Sequence, residues 1–176
     1  MLIRRADPEQ DAAACLAIYA PFITDSVISF EATPPSLSEF AERIARYSRT
    51  HEYLVAEEDG KVIGFAYGSP HRERAAYRWT AETSIYIDPD HHGRGIGKKL
   101  YERLLGLLRA QGIRTVLAGA TLPNDASIAL HRRCGFVQVG VLPSVGWKFD
   151  RWHDVAWLAC DLGPGADPSP PDDAQP

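Results

Sequence analysis

A glycine-spaced turn between a predicted strand and a predicted helix constrains this sequence most. Residues 85–100 read IYIDPDHHGRGIGKKL, with Gly93, Gly95 and Gly97 at alternate positions. Glycine permits a strained turn and lets a ligand approach the main chain closely. Such a turn places backbone N–H groups at the N-terminus of a helix, where they bind anions. The sequence therefore predicts a site for a phosphate-bearing cofactor.

Two familiar nucleotide-binding loops do not match this turn. A Walker loop needs Ser or Thr after its Gly-Lys pair, whereas Lys99 follows Gly97 and Lys98 here. A dinucleotide fingerprint opens a parallel βαβ unit and has an acidic residue about 20 positions later. The glycines of this chain instead lie in its second half, after a predicted hairpin. A third kind of phosphate site is therefore required.

Composition and charge restrict the class of protein. The 176 residues are 45% hydrophobic and 24% charged, with a formal net charge of −4, which suits one globular domain with a substantial core. A negative net charge argues against a nucleic-acid partner, and no apolar run reaches the roughly 18 residues of a membrane span. Cys15, Cys134 and Cys160 are widely spaced and lack metal-ligand partners. We therefore expect buried thiols, no metal and a cytoplasmic protein.

Hydrophobic periodicity predicts an α/β chain with a mixed, mostly antiparallel central sheet flanked by helices. Helices are predicted from Asp7, from Ser36 or Ser38, after the glycines to about Gln111, and from Asn124 to Cys134. Strands are predicted at 2–5, 53–57, 62–69, 79–87, 115–119, 136–142 and 155–162. The aromatic and basic segment Trp147–Val155 is predicted to be a loop. It would close over a substrate or cross a dimer interface, and the sequence leaves both roles open.

Residues 1–162 are predicted to form a single domain, followed by a disordered tail over 163–176. From Gly163 onward the composition is Gly, Pro, Asp and Ser with almost nothing apolar. Such a segment cannot bury enough apolar surface to offset the entropy lost when a chain is ordered.

The segment from His92 to Gly97 resembles the acyl-CoA pyrophosphate loop of the GNAT superfamily of N-acetyltransferases. The further pattern of that family recurs in Asn124 and in the run Cys134-Gly135-Phe136. The combination is more specific than the loop alone, and the resemblance covers about residues 2–162. It implies the GNAT fold, with acetyl-CoA as the co-substrate. One departure is His92, which stands where the superfamily usually has Gln or Arg.

Three separated segments resemble the phosphinothricin and methionine sulfoximine N-acetyltransferase branch of that superfamily. They are YRWTAETSIYI at 77–87, LPND at 122–125 and GWKFDRWHDV at 146–155. The resemblance implies a detoxifying enzyme that acetylates the α-amino group of small glutamate-like or methionine-like substrates. It also implies a homodimer.

The resemblance divides the cofactor site among three places. The backbone of Ile85, Tyr86 and Ile87 would lie along the pantetheine arm. The amides of the loop would form charge-assisted hydrogen bonds with the pyrophosphate. The loop residues are His92, Gly93, Arg94, Gly95, Ile96, Gly97 and Lys98. Asn124 would bond the pantetheine or acyl end, cap a helix, or do both.

Two side chains are candidates for the catalytic steps. An α-amino group is protonated at neutral pH, and the resemblance assigns Glu82 to remove its proton directly or through water. The alternative for Glu82 is an ion pair at the strand edge. His131 stands where many relatives carry the tyrosine that protonates the leaving thiolate, and a packed core histidine is equally open. A main-chain N–H of residues 85–87 is expected to bind the oxyanion.

A free amino acid also offers a carboxylate, which arginine binds as a bidentate fork. Arg72 and Arg74 precede Tyr77 in the segment where the resemblance places substrate-binding residues. Either arginine could instead be a solvated surface residue. Phe30 and Tyr86 are candidates for the side-chain pocket, and for Phe30 plain core packing is equally open.

Two other functions stay open at this stage. The same cofactor site would serve acetylation of a polyamine, an aminoglycoside or a protein N-terminus. The second alternative is a non-catalytic acyl-CoA-binding module, against which the retention of Glu82 and of an intact loop argues. The paired arginines favour a substrate that bears a carboxylate over a cationic one.

Overall fold

Within residues 1–163, the part of the chain that the computed structural model describes, seven strands form one mixed sheet flanked by four α-helices. The strands are β1 (Leu2–Arg5), β2 (Tyr53–Glu58), β3 (Lys61–Pro70), β4 (Thr80–Ile87), β5 (Thr115–Thr121), β6 (Val137–Lys148) and β7 (Arg151–Asp161). The helices are α1 (Pro8–Thr24), α2 (Leu37–Thr50), α3 (Ile96–Ala110) and α4 (Asp125–Arg133). The tail predicted over 163–176 lies outside the described residues, except for its first residue.

The strands lie in the order β1-β2-β3-β4-β5-β7-β6. Neighbouring strands are antiparallel except β4 and β5, which are parallel. This order confirms the predicted mixed, mostly antiparallel sheet. Asp59 and Gly60 join β2 to β3 with φ values of 51° and 75°, the left-handed conformation that a tight hairpin requires.

Side-chain caps fix two of the predicted helix starts. Asp7 accepts hydrogen bonds from two backbone N–H groups of the first turn of α1, and Pro8 follows at the first helical position. Ser36 and Glu39 form a capping box at the start of α2, in which each side chain accepts from the other's backbone N–H. The second helix therefore takes its cap from Ser36 and not from Ser38.

Two hydrophobic clusters lie on opposite faces of the sheet. On one face, α3 and α4 cover a cluster that contains the fully buried Leu100 and Leu54. On the other face, α1 and α2 cover an aromatic cluster that contains Phe40 and Tyr53. Neighbouring residues of β2 therefore belong to different clusters, as the alternation of side chains along a strand requires.

Alternate residues of β4 face these two clusters. Ile85 and Ile87 pack against the α3 cluster. Tyr86 packs against the α1–α2 cluster, with its ring centroid 4.7 Å from that of Tyr19. Because the alternation continues along the strand, Glu82 projects from the same face as Tyr86. The predicted base is therefore on the face opposite to α3 and α4.

The parallel pairing of β4 with β5 ends at Glu82. In the described part of the chain, Glu82↔Leu117 is the last registered pair of these strands. β4 continues to Ile87 and β5 to Thr121, so the two strands separate beyond that pair. Along 83–87 the β5-facing N–H and C=O groups of β4 consequently have no neighbouring strand to bond, so a side chain or a ligand must bond them instead.

The segment predicted as a loop between the last two strands is instead a β-hairpin. β6 and β7 pair up to a two-residue turn, so Trp147–Val155 belongs mostly to the sheet. The turn residues Phe149 and Asp150 have φ values of 49° and 56°, the left-handed conformation of a tight hairpin. The prediction was wrong because this turn contains no glycine or asparagine. A bulge between Leu142 and Gly146 also interrupts the alternation expected of a strand.

Candidate active site

A small cavity lies where β4 and β5 separate. Its volume is about 60 Å³, and its walls come from both strands, from α3 and α4, and from the connection between α1 and α2. Four residues predicted for the site line it: Ile85, Tyr86, Asn124 and His131. Ile28 also lines it and was not predicted, because nothing in its local sequence indicates that the α1–α2 connection reaches this point.

Glu82, the predicted base, lies at the point of separation with its side chain 36% exposed. Nδ1 of His71 lies 2.6 Å from its Oε1. His71 directly follows Pro70 at the end of β3, and the register Ser69↔Glu82 brings it alongside. His71 was not predicted as a site residue. Its one local signal is its place next to Arg72, at the start of the segment predicted to bind substrate.

Three predicted substrate-binding residues line one cleft beside this pair. The cleft has a volume of about 380 Å³ and is lined by Arg72, Glu73, Arg74 and Tyr77. Nε of Arg72 lies 3.3 Å from Nε2 of His71. The Tyr77 ring centroid lies 5.5 Å from the centroid of the same imidazole. His71 therefore connects the arginine cleft to Glu82.

His131 is buried on the other face of the sheet, with both ring nitrogens bonded. Nδ1 lies 2.7 Å from the backbone oxygen of Ser127, and Nε2 lies 2.8 Å from the Tyr101 hydroxyl oxygen. A carbonyl oxygen only accepts, so Nδ1 carries the hydrogen and Nε2 accepts from Tyr101. Burial lowers the pKa of His131, which favours this neutral form. These contacts are those expected of a packed core histidine. A catalytic role for His131 stays a prediction.

Asn124 caps a helix and also lines the cavity, as its two predicted roles require. Its Oδ1 accepts a hydrogen bond from the backbone N–H of Ser127 over 3.1 Å and so caps α4. The same residue lines the cavity between the separated strands. Capping engages Oδ1 and not the side-chain nitrogen, so the two predicted roles are compatible.

The glycine turn has the backbone conformation that the sequence predicts. Gly93 and Gly95 have φ values of 75° and 76°, and a Cβ built on either meets no atom within 4 Å. Glycine is therefore favoured at these two positions by the backbone conformation and not by crowding. The space beside the main chain is open to a ligand. Gly97 instead lets α3 approach α4, because a Cβ there would lie 2.9 Å from Cδ2 of Leu130.

The polar side chains of the turn bond to the protein itself. Nε2 of His92 donates to the backbone oxygen of Ile87 over 3.0 Å. Nη2 of Arg94 lies 2.9 and 2.8 Å from the two carboxylate oxygens of Glu58. The exposed Lys98 has its ammonium 3.4 Å from a carboxylate one turn further along α3. The main chain of the turn is therefore better placed than these side chains to bind an anion.

Phe30 packs against the β6–β7 hairpin and does not line the cavity. A Cβ on Gly146 would collide with the Phe30 ring, so the two are in close contact. Nζ of the buried Lys148 donates to two backbone oxygens, including that of Ser29, each over 2.6 Å. These contacts hold the α1–α2 connection in the position from which Ile28 reaches the cavity.

Two features are absent from residues 1–163, the described part of the chain. No group of three or more His, Cys, Asp or Glu side chains in that range has the arrangement to hold a metal ion. No helix in the same range is long and apolar enough to span a bilayer.

Acyl-CoA binding needs a strand edge that can bond an extended amide chain and a helix N-terminus that can hold phosphates. This chain places both along one strand and the turn that follows it. The fold and the site therefore define the class of CoA-dependent acyltransferases. More narrowly, the chain belongs to the GNAT family, since the sequence model described as "Acetyltransferase (GNAT) family" matches residues 19–136. The resemblance predicted from the sequence is confirmed.

Individual relatives are similar over nearly the whole chain. A phosphinothricin N-acetyltransferase of Alcaligenes faecalis is 42% identical over 159 residues, which cover 89% of this chain and 81% of that protein. An L-methionine sulfoximine/L-methionine sulfone acetyltransferase of Salmonella typhimurium is 36% identical over 96% of this chain and 98% of that protein. A crystal structure of a phosphinothricin acetyltransferase from Sinorhizobium meliloti in complex with AcCoA has a TM-score of 0.90 and 37% identity, covering 99% of this chain and 95% of that one.

Proposed function

We propose that this chain is an acetyl-CoA-dependent N-acetyltransferase that acetylates the α-amino group of small amino-acid-like substrates. The substrates are of the phosphinothricin, methionine sulfoximine or methionine sulfone type, and the reaction is a detoxification. One observation carries the substrate class: His71 connects Glu82 to a cleft lined by Arg72 and Arg74. A substrate whose amine adjoins a carboxylate could place the amine at Glu82 and the carboxylate at the two arginines. The names of the relatives agree with this class.

The residues present fit acetyl-CoA in two places. The backbone N–H groups of 93–98 adjoin the open space at Gly93 and Gly95 and would bind the pyrophosphate. The separated edge of β4 over 85–87 would bond the pantetheine arm, with Asn124 at the acyl end. When bound, acetyl-CoA supplies a thioester whose acetyl carbon is open to attack by an amine.

Glu82 would prepare the amine for that attack. Arg72 and Arg74 would hold the substrate carboxylate as a fork, which places the neighbouring α-ammonium at Glu82. A carboxylate oxygen of Glu82 takes one ammonium proton, so the N–H bond breaks and the nitrogen keeps its lone pair. A backbone N–H within 85–87 donates to the oxygen on which negative charge develops.

The departing thiolate needs little assistance, because a thiol has a pKa of about 8.5. The hydrogen on Nδ1 of His131 is bonded to the backbone oxygen of Ser127. His131 would therefore donate a proton only after these hydrogen bonds rearrange.

The proposed assembly is a homodimer in the cytoplasm. β6 lies at the edge of the described sheet, and Val137, Val139 and Val141 along it are 62%, 59% and 40% exposed. The register of β6 with β7 shifts between Gln138 and Gly140, so Val137, opposite Ala159, and Val141, opposite Ala156, project from opposite faces of the strand. Together the three valines make the strand edge apolar, and an exposed apolar edge of this kind marks an interaction surface. A second copy offers the same edge in a two-fold arrangement. The three cysteines are free thiols, which suits a reducing compartment.

Thiol release by the purified protein with acetyl-CoA and a panel of amines tests this function. We expect kcat/KM for L-phosphinothricin, L-methionine sulfoximine or L-methionine sulfone to exceed that for a polyamine, an aminoglycoside or an alanine-terminated peptide by about tenfold or more. The carboxamide of L-methionine sulfone is the matched control, since it keeps the amine and lacks the carboxylate. Release with cationic amines alone would refute the substrate class. Acetyl-CoA binding without release on any amine would instead indicate the non-catalytic module.

A further inference from the structure

His71 lies between the arginine cleft and Glu82, with its side chain only 15% exposed. The ring centroids of Tyr77 and Trp157 lie 5.5 and 6.5 Å from its own, with interplanar angles of 81° and 78°. These two edge contacts fix the plane of the imidazole. Each of its nitrogens therefore has a set direction, one toward Arg72 and the other toward Glu82.

The neighbours of His71 determine which nitrogen carries its hydrogen. Nε of Arg72 can only donate, so Nε2 of His71, 3.3 Å away, is the acceptor. Nδ1 then carries the hydrogen and donates it to Oε1 of Glu82 over 2.6 Å. The hydrogen bonds run in one direction, from Arg72 through His71 to Glu82.

We propose that His71 is a positioning residue that holds Oε1 of Glu82, so that Oε2 faces the substrate amine. This inference rests on the proposed function, because it assigns a partner to the proposed base. A glutamate side chain that is partly exposed samples many rotamers, and a hydrogen bond to one oxygen restricts the direction of the other. A displacement of about 1 Å at a reacting group can lower a rate by about 100-fold.

The same hydrogen bonds determine where the substrate's proton goes. Oε2 of Glu82 accepts it, because Oε1 already accepts the Nδ1 hydrogen of His71. Arg72 thus acts at both ends of the site. Its terminal nitrogens would bind the substrate carboxylate while its Nε fixes the tautomer of His71. Carboxylate binding and base orientation are therefore coupled through one imidazole.

Three substitutions distinguish the two nitrogens of this ring. The amide nitrogen of His71→Asn takes the place of Nδ1, that of His71→Gln takes the place of Nε2, and His71→Phe supplies neither. We expect His71→Asn to keep kcat within about threefold, and the other two variants to lower it by about tenfold or more. KM for acetyl-CoA and the thermal midpoint should change little. A purely structural histidine would not be rescued by asparagine alone.

Two kinetic outcomes overturn the proposal. An unchanged kcat in His71→Phe shows that Glu82 does not need this hydrogen bond. Equal losses in all three variants, with loss of the acidic limb of the kcat/KM pH profile, show that His71 titrates as the base. The charged or titratable groups that face its ring are Glu82, Arg72 and Tyr77.

A measurement without substrate separates this inference from the proposed function. Nitrogen-15 NMR of histidine-labelled protein reports the tautomer of each ring, and the signal of His71 is assigned by its loss in His71→Asn. We expect the Nδ1–H tautomer. A protein that releases thiol but holds the Nε2–H tautomer overturns the positioning role. A protein with the expected tautomer that releases no thiol overturns the proposed function instead.

Discussion

At the scale of single residues, Glu82 and His131 occupy contrasting surroundings on the two faces of β4. The Glu82 side chain is 36% exposed and bonded to one histidine. His131 is 3% exposed, with both ring nitrogens bonded. A base must release its proton to water after each turnover, so partial exposure suits it. Burial with fixed hydrogen bonds suits a residue that holds its surroundings in place.

Glu82→Gln should lower kcat by about tenfold or more, because it removes the proton acceptor and keeps the shape of the side chain. Acetyl-CoA affinity should change little. Thiol-release kinetics and calorimetric titration with acetyl-CoA measure the two effects. Glu42→Gln on the exposed surface of α2 is the matched control and should change neither. Unchanged turnover in Glu82→Gln would remove that residue from the mechanism.

His131 should make stability depend on pH. Burial lowers its folded pKa below the ordinary value of about 6.5. Its contribution is fully present above about pH 6.5. It is lost as the pH falls toward the folded pKa, because the unfolded chain then binds a proton that the folded chain does not. Burial also lowers the pKa of His51, which adds to the same slope.

Urea unfolding between about pH 7.5 and pH 5 checks this prediction, and the slope should not exceed about 1.4 kcal/mol per pH unit for each histidine. His131→Asn keeps a donor for the Ser127 oxygen and does not titrate, so it should reduce the slope. His51→Asn should reduce it separately. An unchanged slope in His131→Asn would show that His131 contributes nothing to acid sensitivity.

At the scale of elements, the turn between β4 and α3 combines a strained backbone with free space. Gly95 has a φ of 76° with open space around it, so a side chain there meets strain and no collision. A β-branched residue in this conformation costs about 1–2 kcal/mol. It would also stand where the pyrophosphate is proposed to lie.

Gly95→Val should therefore lower the thermal midpoint modestly and weaken acetyl-CoA binding by about tenfold or more. Thermal unfolding with and without acetyl-CoA measures both effects, since a ligand that binds only the folded state raises the midpoint. Gly106→Ala, at an exposed and uncrowded position within α3, is the control and should be stabilising or neutral. Equal stabilisation of Gly95→Val and the wild type by acetyl-CoA would exclude this turn from the binding site.

Local signals predicted most of the elements, and longer-range contacts account for what they missed. The caps at Asp7 and Ser36 and the glycine turn act within a few residues, so the sequence reveals them. The turn at Phe149-Asp150 carries no such signal, and the hairpin there depends on the pairing of two strands. The same contrast between local signals and long-range contacts applies to the candidate site. The resemblance identified Glu82, whereas His71 reaches it only through the register of β3 with β4.

At the scale of the whole molecule, the two edges of the sheet differ in length and character. β1 is a four-residue edge whose Arg4 and Arg5 are paired with acidic side chains. Short charged edges of this kind resist pairing with other chains. β6 is a twelve-residue edge, and its exposed apolar residues are continued by Trp147 and Trp152, which are 57% and 60% exposed. The surface for self-association should therefore be β6 and its hairpin.

Val139→Glu combined with Val141→Glu should convert the proposed dimer into a monomer. Each substitution introduces a carboxylate into the exposed apolar edge, where it would be desolvated against the second copy. Sedimentation velocity over a range of protein concentrations measures the result, with circular dichroism to confirm that the variant is folded. Leu2→Glu, at an exposed residue of the opposite edge, is the matched control and should remain dimeric. A wild type that sediments as a monomer at every concentration, or a variant that stays dimeric, would place the assembly surface elsewhere.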